Sequence, residues 1–518
     1  MASFYVENFG CRATQADGAA LERQFRERGL ERAPTANQAQ VVVLNTCTVT
    51  ASADQDARAA IRRIRRHNPN CQILVTGCYA QRAPEEIAAL PGVTRVIGNS
   101  HKHELVNIAI PSSSMANSQW PIANGQQLIF VSDIFAHTEL LAAPVFDAAN
   151  ERTRPNLKVQ DGCDNRCSFC VIPFVRGQSR SLPLGEILRE LHALVDSGYR
   201  EVVISGINLG RWGRDLTDSL SSRAKQDGSL ANHPAKSRDL LFPVTNSKGR
   251  LRLEHLIRSI LDETPLEKLR ISSVEPMDWS DELIRLVAES PRIAKHAHVP
   301  MQSASDRILR LMHRKYRPWH YSEKIERIHA AMPAAAIGGD VMVGFPGETD
   351  VDFQQTRAMI EALPFNYLHV FTFSARPGTP AASMRNQVPV EIARERNRLL
   401  RELAREKRQA FMQSFVGGTV EAITLRFGGA SVAQGAPSEP ALPAWGSSAM
   451  NSRVPDSSRF CSGAVGPLPD PDASPVFTEC LTDNYLKLHL KESHEPNRWM
   501  RARVERVADG ALVGSRCS

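Results

Sequence analysis

Cys163, Cys167 and Cys170 stand in the stretch DGCDNRCSFC (161–170), a CxxxCxxC spacing that puts three thiols on one short loop. Soft thiolates so close together select zinc or an iron–sulfur cluster. A structural zinc site closes with a fourth ligand, and residues 171–190 contain neither Cys nor His. A 4Fe–4S cluster held by three cysteines instead leaves one iron open to an exogenous ligand. The bland alternatives are a zinc knuckle completed by a distant residue, or plain buried thiols. The loop follows the candidate strand LKVQ (157–160), so it lies at the C-terminal end of that strand. In β/α barrels that end carries the chemistry.

A second set is dispersed. Cys11 follows the strand-like run 4–10, Cys47 follows 41–46 and Cys78 follows 72–77, in the contexts FGCR, NTCT and TGCY. If those strands are parallel neighbours, all three sulfurs reach one edge of the sheet, where open α/β sheets bind ligands. That would make a second three-cysteine cluster site, with buried structural cysteines as the alternative. Cys71 precedes its strand and belongs at the opposite edge, so it should not be a ligand. Cys461, Cys480 and Cys517 receive no role.

The elements that must position these thiols are legible as two β/α series. In residues 1–110, short apolar runs alternate with helical stretches, which implies βαβ units and a parallel sheet. A longer series gives strands near 157–160, 201–205, 268–272, 296–301, 337–343 and 367–373. The helix at 186–198 carries Ile187, Leu188, Leu191, Leu194 and Val195 on one face. Six units are too few for a closed eight-stranded barrel and predict a partial one. The fold class is therefore α/β, with an N-terminal parallel sheet, a central partial (β/α)6 barrel and a small C-terminal all-β barrel. The corresponding boundaries are 1–110, a linker at 111–148, a core at 149–390, a connecting helix at 391–412 and a β module at 413–518. The polar, aperiodic segments 217–249 and 428–475 read as insertions. The VADGAL turn (507–512) predicts a hairpin.

The 518 residues carry a net charge of +7, which permits a nucleic-acid partner without demanding one. Basic helical runs at 58–67 and 394–408 point the same way, although a solvated helix face explains each equally well. No apolar run approaches a membrane span, and the first residues lack the basic and apolar regions of a signal peptide. A cytoplasmic protein is expected. Its ten cysteines then suit metal binding or catalysis better than a disulfide frame.

CxxxCxxC followed by a partial β/α barrel resembles the radical S-adenosylmethionine (SAM) superfamily. The N-terminal cysteines make the chain similar to the methylthiotransferases within it. The matching stretches are NTCTVT (45–50), VTGCYAQRAPEEIAALPGV (75–93), KVQDGCDNRCSFCVIPFVRG (158–177), ISGINLGRWGRD (204–215), RISSVEPMDW (270–279), HVPMQSASDRILRLMHRKY (298–316), DVMVGFPGETD (340–350) and FSARPGTPA (373–381). NTCTVT, YAQRAPEEI and GRWGRD look most like the threonylcarbamoyladenosine tRNA methylthiotransferases. Phe9 and Arg12 depart from the leucine and lysine usual around the first cysteine. The C-terminal module resembles a TRAM domain, a small RNA-binding barrel.

The resemblance implies two 4Fe–4S clusters and SAM as cofactors. SAM would chelate the open iron of the Cys163, Cys167 and Cys170 cluster, and its reductive cleavage would give a 5′-deoxyadenosyl radical. Phe169 would pack beside the adenine. Gly206 and Asn208 would lie near the SAM amino group, and Gly344 and Glu348 near the adenosyl group. Glu275 and Gln302 would point at the same mouth. The cluster on Cys11, Cys47 and Cys78 would supply or carry sulfur, which a second SAM methylates. The implied substrate is threonylcarbamoyladenosine beside the tRNA anticodon; close relatives act on isopentenyladenosine or on a ribosomal-protein aspartate. The implied partners are the anticodon loop, an electron donor such as flavodoxin or ferredoxin, and a sulfur donor, with a monomeric enzyme and no membrane. Two other classes compete. Another radical SAM enzyme, a methyltransferase or sulfur-inserting synthase, would not need the N-terminal cysteines. A zinc-bearing RNA-binding protein would not explain the open spacing.

Overall fold

Strand and helix periods place the apolar residues of the first hundred positions on both faces of one sheet. The computed structural model describes residues 2–110, 128–137, 153–216, 251–426 and 477–517. The expected insertions 217–249 and 428–475 lie outside the described residues, as does Cys461. The chain divides into two compact units, Met1–Phe411 with Asp483–Tyr485, and Met412–Thr482 with Leu486–Ser518.

The first unit begins with β1 (Ser3–Asn8), α1 (Arg12–Glu27), β2 (Glu31–Arg32), β3 (Val41–Thr46), α2 (Ala51–His67) and β4 (Gln72–Gly77). It continues with α3 (Cys78–Arg82), α4 (Pro84–Ala88), β5 (Val93–Gly98), α5 (Leu105–Ala109) and β6 (Leu128–Phe130). The strands form one six-stranded sheet in the order β2-β1-β3-β4-β5-β6, parallel throughout. β3 reads VVVLNT and is buried at every position, as a strand covered on both faces must be. Helix α2 turns Ala57, Ala60, Ile61 and Ile64 inward, while Arg62, Arg63, Arg65 and Arg66 stay exposed. Thr50 caps it, accepting from the Ala53 amide at 3.4 Å. Three strands of this sheet escaped the sequence pattern, and β2 did so because it is only the two residues Glu31 and Arg32. β5 is interrupted by Thr94 and Arg95, and β6 is a three-residue apolar run inside the expected linker.

The second series comprises β7 (Asn156–Asp161), α6 (Ile172–Arg176), β8 (Arg180–Ser181), α7 (Leu184–Asp196), β9 (Glu201–Gly206), α8 (Leu253–Glu263) and β10 (Lys268–Ile271). It proceeds through α9 (Asp281–Glu289), β11 (His296–His298), α10 (Asp306–Leu311), α11 (Pro318–Ala331), β12 (Ala336–Val343), α12 (Asp350–Ala362) and β13 (Tyr367–Thr372). The six long-range parallel strands expected are present. Their hydrogen bonding falls into two sheets, β10-β9-β7-β8 and β11-β12-β13, with a bridge between Leu269 and Ile293. One continuous apolar core lies between the strands and their helices. It includes Ile187, Leu191 and Leu194 of α7, with Leu188 and Val195 at its margin, and the fully buried Trp212 and Trp279. Helix α13 (Val390–Gln413) follows.

The second unit is a closed barrel of β14 (Thr419–Thr424), β15 (Thr478–Thr482), β16 (Lys487–Leu490), β17 (Trp499–Ala508) and β18 (Ala511–Arg516), in the order β14-β15-β16-β18-β17. The expected hairpin joins β17 and β18. Ala508 pairs with Ala511, and Asp509 and Gly510 both take positive φ, the backbone of a two-residue type I′ turn. Among the described residues no helix is long and apolar enough to cross a membrane.

Candidate active site

The N-terminal strand order reverses between β1 and β3, and the crevice beyond such a switch point is where open α/β sheets bind ligands. Cys11, Cys47 and Cys78 all lie there. Two glycines make the placement possible. Gly10 takes φ +102°, and a Cβ on it would stand 2.5 Å from Cys47 Cβ and 2.9 Å from its Sγ. Gly77 takes φ +98°, and a Cβ there would stand 2.3 Å from the Thr46 carbonyl oxygen. Both backbones thus pass too close to their neighbours for any side chain. Cys47 and Cys78 are buried and Cys11 is exposed. Burial, then the adjacent Cys11 and Cys78, pushes the Cys47 thiol up. Asn99 Nδ2 lies 3.6 Å from Cys78 Sγ. Cys71 sits at the other end of β4, its thiol 3.1 Å from the Asn68 carbonyl.

Cys163, Cys167 and Cys170 occupy the loop between β7 and α6. The loop is pinned by Gln160, whose Nε2 donates to the carbonyls of Asp161 and Gly162 and to Ser179 Oγ. The same side chain accepts from the Asn208 amide at 2.7 Å through Oε1. Asn208 Nδ2 in turn reaches 3.6 Å from Cys163 Sγ, and Arg314 Nη1 lies 3.4 Å from Cys167 Sγ. The Cys170 thiol is pushed up to about 12, first by burial and then by Cys167, with Cys163 adding to it. The Cys163 thiol is raised too, first by burial and then by the neighbouring Cys167, and a bound cation is what holds such buried thiols ionised.

The two sets are neighbours. Cys78, Val171, Ile172 and Val175 form one apolar cluster, and Cys163, Cys170 and Ile207 pack against it. Helix α6 therefore separates the two groups of sulfurs by little more than its own apolar face.

Beneath that helix lies a buried ion network. Asp17 on α1 accepts from Lys102 Nζ at 3.0 Å and Arg176 Nη2 at 3.0 Å, and also from Lys158. Asp161 accepts from Arg176 Nη1 at 2.9 Å and Lys158 Nζ at 2.8 Å. Burial alone would raise Asp17, but Lys102, Lys158 and Arg176 together outweigh it and hold the carboxyl at about 2, below its ordinary 3.8. A carboxyl lowered on folding stabilises fully above its unfolded pKa and loses that contribution as pH falls through the folded one. The cluster-free protein should therefore lose stability between about pH 4 and pH 2 by this group, measured as urea midpoint against pH. Asp17→Asn should flatten that part of the profile. A second network ties the Cys47 loop to the barrel mouth. Arg376 Nη1 and Arg82 Nη2 both reach Asp54 Oδ2, at 2.7 and 2.9 Å, and Thr48 Oγ1 donates to Asp54 Oδ1 at 2.6 Å.

The remaining expected residues are distributed as follows. Phe169 packs against a cluster containing Ile308, Met312, Met342 and Phe345, edge-on to the Phe345 ring. Gly206 ends β9, where a Cβ would stand 2.8 Å from Gln160 Oε1. Asn208 Oδ1 and Gln302 Oε1 are buried acceptors without a hydrogen-bond partner, and Gln302 adopts φ 63°. Glu275 pairs with Arg314. Gly344 donates its amide to Glu348 Oε2 at 2.7 Å, and Arg396 Nη1 on α13 reaches the same oxygen at 2.7 Å. Through Oε2, Glu348 thus ties the β12 loop to α13. Motif spacing did not single out Arg314 and Asn99, which touch the cysteine sulfurs, nor Asp17, Lys102, Lys158, Asp161 and Arg176 of the ion network. The available signal was Lys158 and Asp161, two charged residues in a six-residue strand that leads into the cysteine loop.

Residues 3–98 match Uncharacterized protein family UPF0004, and residues 157–360 match the Radical SAM superfamily. The threonylcarbamoyladenosine tRNA methylthiotransferase MtaB of Bacillus subtilis (strain 168) is 34% identical over 82% of this chain and 85% of its own length. The protein of the same name from Aquifex aeolicus (strain VF5) is 35% identical over 81% of this chain and 92% of its own length. The chain belongs to the radical SAM methylthiotransferase family. A more distant member, the tRNA-2-methylthio-N(6)-dimethylallyladenosine synthase of Novosphingobium aromaticivorans, is 31% identical over 82% of this chain and 87% of its own length. The family works with 4Fe–4S clusters and SAM.

The residues present fit those groups. Each set offers three soft thiols of the kind iron–sulfur clusters take. The unpartnered acceptors of Asn208 and Gln302 are the complement of an amino group and of hydroxyl donors.

Proposed function

We propose that this enzyme adds a methylthio group to C2 of N6-threonylcarbamoyladenosine beside the anticodon of tRNA. The observation that supports it most is the adjacency of two three-thiol sets across helix α6, because the reaction needs a radical source and a sulfur source beside the same base. The names of the MtaB relatives support the threonylcarbamoyl substrate. The similarity to a dimethylallyladenosine synthase supports isopentenyladenosine as the second reading.

In this reading Cys163, Cys167 and Cys170 hold one cluster and Cys11, Cys47 and Cys78 the other. The first cluster, when bound, supplies the electron for reductive cleavage of SAM, chemistry that belongs to the cofactor. The chain binds, orients and excludes water. Asn208 holds Cys163 through its Nδ2 and presents Oδ1 as an acceptor for the SAM amino group. Arg314 offers positive charge at Cys167. Gly206 lets Gln160 pack against the end of β9, and Phe169 supplies an apolar wall. The apolar face of α6 keeps water from the space between the two sets. An electron donor and a sulfur donor complete the cycle.

The experiment is anaerobic incubation of the reconstituted protein with SAM, dithionite and tRNA, followed by mass analysis of digested nucleosides. A methylthio shift on threonylcarbamoyl-modified tRNA and none on isopentenyl-modified tRNA is expected. The reverse pattern would assign the second reading, and a shift on neither would point to another acceptor.

The C-terminal barrel would bind the RNA, as small TRAM-like barrels do. Arg501 and Arg503 stand exposed on β17, alternating with the buried Ala502 and Val504. Replacing both by Gln should weaken tRNA binding and make the slope of log K against log salt shallower by about 0.7–0.9 for each phosphate no longer neutralised. Filter binding across a salt series measures it, and an unchanged slope would remove the two arginines from the interface.

A further inference from the structure

We propose that the pocket beside Cys167 takes the carboxylate of the threonylcarbamoyl group, with Lys315 and Arg211 as its cations, and so sets the choice between a charged and an apolar N6 substituent. The proposal rests on the substrate reading given above. Cys167, Arg211, Glu275, Met277, Arg314 and Lys315 line the pocket. They come from the cysteine loop, from the segments after β9 and β10, and from the turn between α10 and α11. Three of them are cations and one is a carboxylate. That carboxylate, Glu275, is paired with Arg314, whose Nη1 also lies 3.4 Å from Cys167 Sγ. Among the described residues that line the pocket, no second carboxylate is left for Lys315 and Arg211.

Two observations point these cations at an incoming anion. Lys315 is exposed and makes no hydrogen bond or ion pair among the described residues. Arg211 Nε lies 3.3 Å from Asp278 Oδ2, yet it is a buried donor without a hydrogen-bond partner. Asp278 is itself shared, because Arg214 Nη2 donates to its Oδ1 at 2.7 Å. One carboxylate thus serves two guanidinium groups. Met277, 53% exposed, adds an apolar wall at the rim. Lys315 and Met277 open the pocket to solvent, the side from which an RNA loop arrives. The threonyl end of the substituent carries a carboxylate for the two cations and a methyl for Met277. An isopentenyl group is apolar throughout and would desolvate both cations without giving them an acceptor. A site built around unmet charge rejects such a group more strongly than shape alone would.

The reconstituted full chain is assayed at saturating SAM on three anticodon stem-loops, carrying threonylcarbamoyladenosine, its threoninamide analogue and isopentenyladenosine. The parent should use the amide with a KM about tenfold above that for the acid and a similar kcat, the signature of a contact remote from the reacting carbon. Lys315→Met should raise the KM for the acid about tenfold and that for the amide by no more than about twofold, because the ammonium and the carboxylate act as one pair. Lys315→Arg should restore most of the loss. Arg211→Gln should repeat the pattern, and Lys315→Met, which removes a side chain without a partner, decides the matter if Arg211→Gln does not fold. Equal losses on acid and amide would overturn the proposal by giving the cations to RNA phosphates or to the fold, and so would no loss on either. A higher KM for SAM with that for the acid unchanged would give them to the carboxylate of SAM and overturn it as well. A parent that methylthiolates only the isopentenyl RNA would instead remove the substrate reading itself, and the proposal with it.

Discussion

Cys163→Ala is expected to bring reductive SAM cleavage to background, whereas Cys47→Ala keeps SAM cleavage and loses methylthio transfer. The asymmetry follows from where the two thiols sit. Cys163 is held by Asn208 and by the Asn165 amide on the β7–α6 loop, at the barrel mouth where the proposed function puts SAM. Cys47 is anchored on the other side of α6, at the switch point of the N-terminal sheet, its Sγ accepting from the Val49 amide at 3.5 Å. Losing one thiolate of three should empty its own site without reaching across the apolar cluster to the other. The readouts are 5′-deoxyadenosine and the methylthio nucleoside, quantified in the same reaction. Full product from Cys47→Ala would remove the second site from the mechanism.

Arg176→Met should cost about 3–5 kcal/mol of stability, the usual penalty for breaking a buried ion pair from one side. Arg176 is 2% exposed, and its guanidinium spans Asp161 and Asp17 with three bonds of 2.9–3.0 Å. Removing it leaves Asp161 to Lys158, and Asp17 to Lys102 and Lys158. Because it is the last residue of α6 and bridges the β7 loop to α1, the loss also loosens the seating of both cysteine sets. Urea unfolding of the cluster-free protein measures the change. A loss under about 1 kcal/mol, the value of an exposed pair, would mean that the network is solvated rather than buried.

The cysteines were legible because strand ends are. β3 and β4 match the apolar runs 41–46 and 72–77 residue for residue, so the edge that gathers Cys47 and Cys78 could be counted off the sequence. β1 ends at Asn8, two residues earlier than its pattern suggested, and Phe9–Gly10 carry the chain to Cys11. The ion network was illegible for the opposite reason. Asp17 meets Lys102 across 85 positions and Arg176 across 159, and such pairings have no local periodicity. Glu348 shows the same limit. The motif places it at the mouth, but Arg396, the partner of its Oε2, lies 48 positions on.

The most direct test of the two-site account is Mössbauer spectroscopy of the reconstituted protein beside two triple variants, one lacking Cys11, Cys47 and Cys78 and the other lacking Cys163, Cys167 and Cys170. The account predicts two 4Fe–4S populations in the parent and one in each variant, with half the iron and with SAM perturbing only the variant that keeps Cys163, Cys167 and Cys170. Full iron in the variant without Cys11, Cys47 and Cys78, or SAM perturbing the cluster of the variant without Cys163, Cys167 and Cys170, would contradict it.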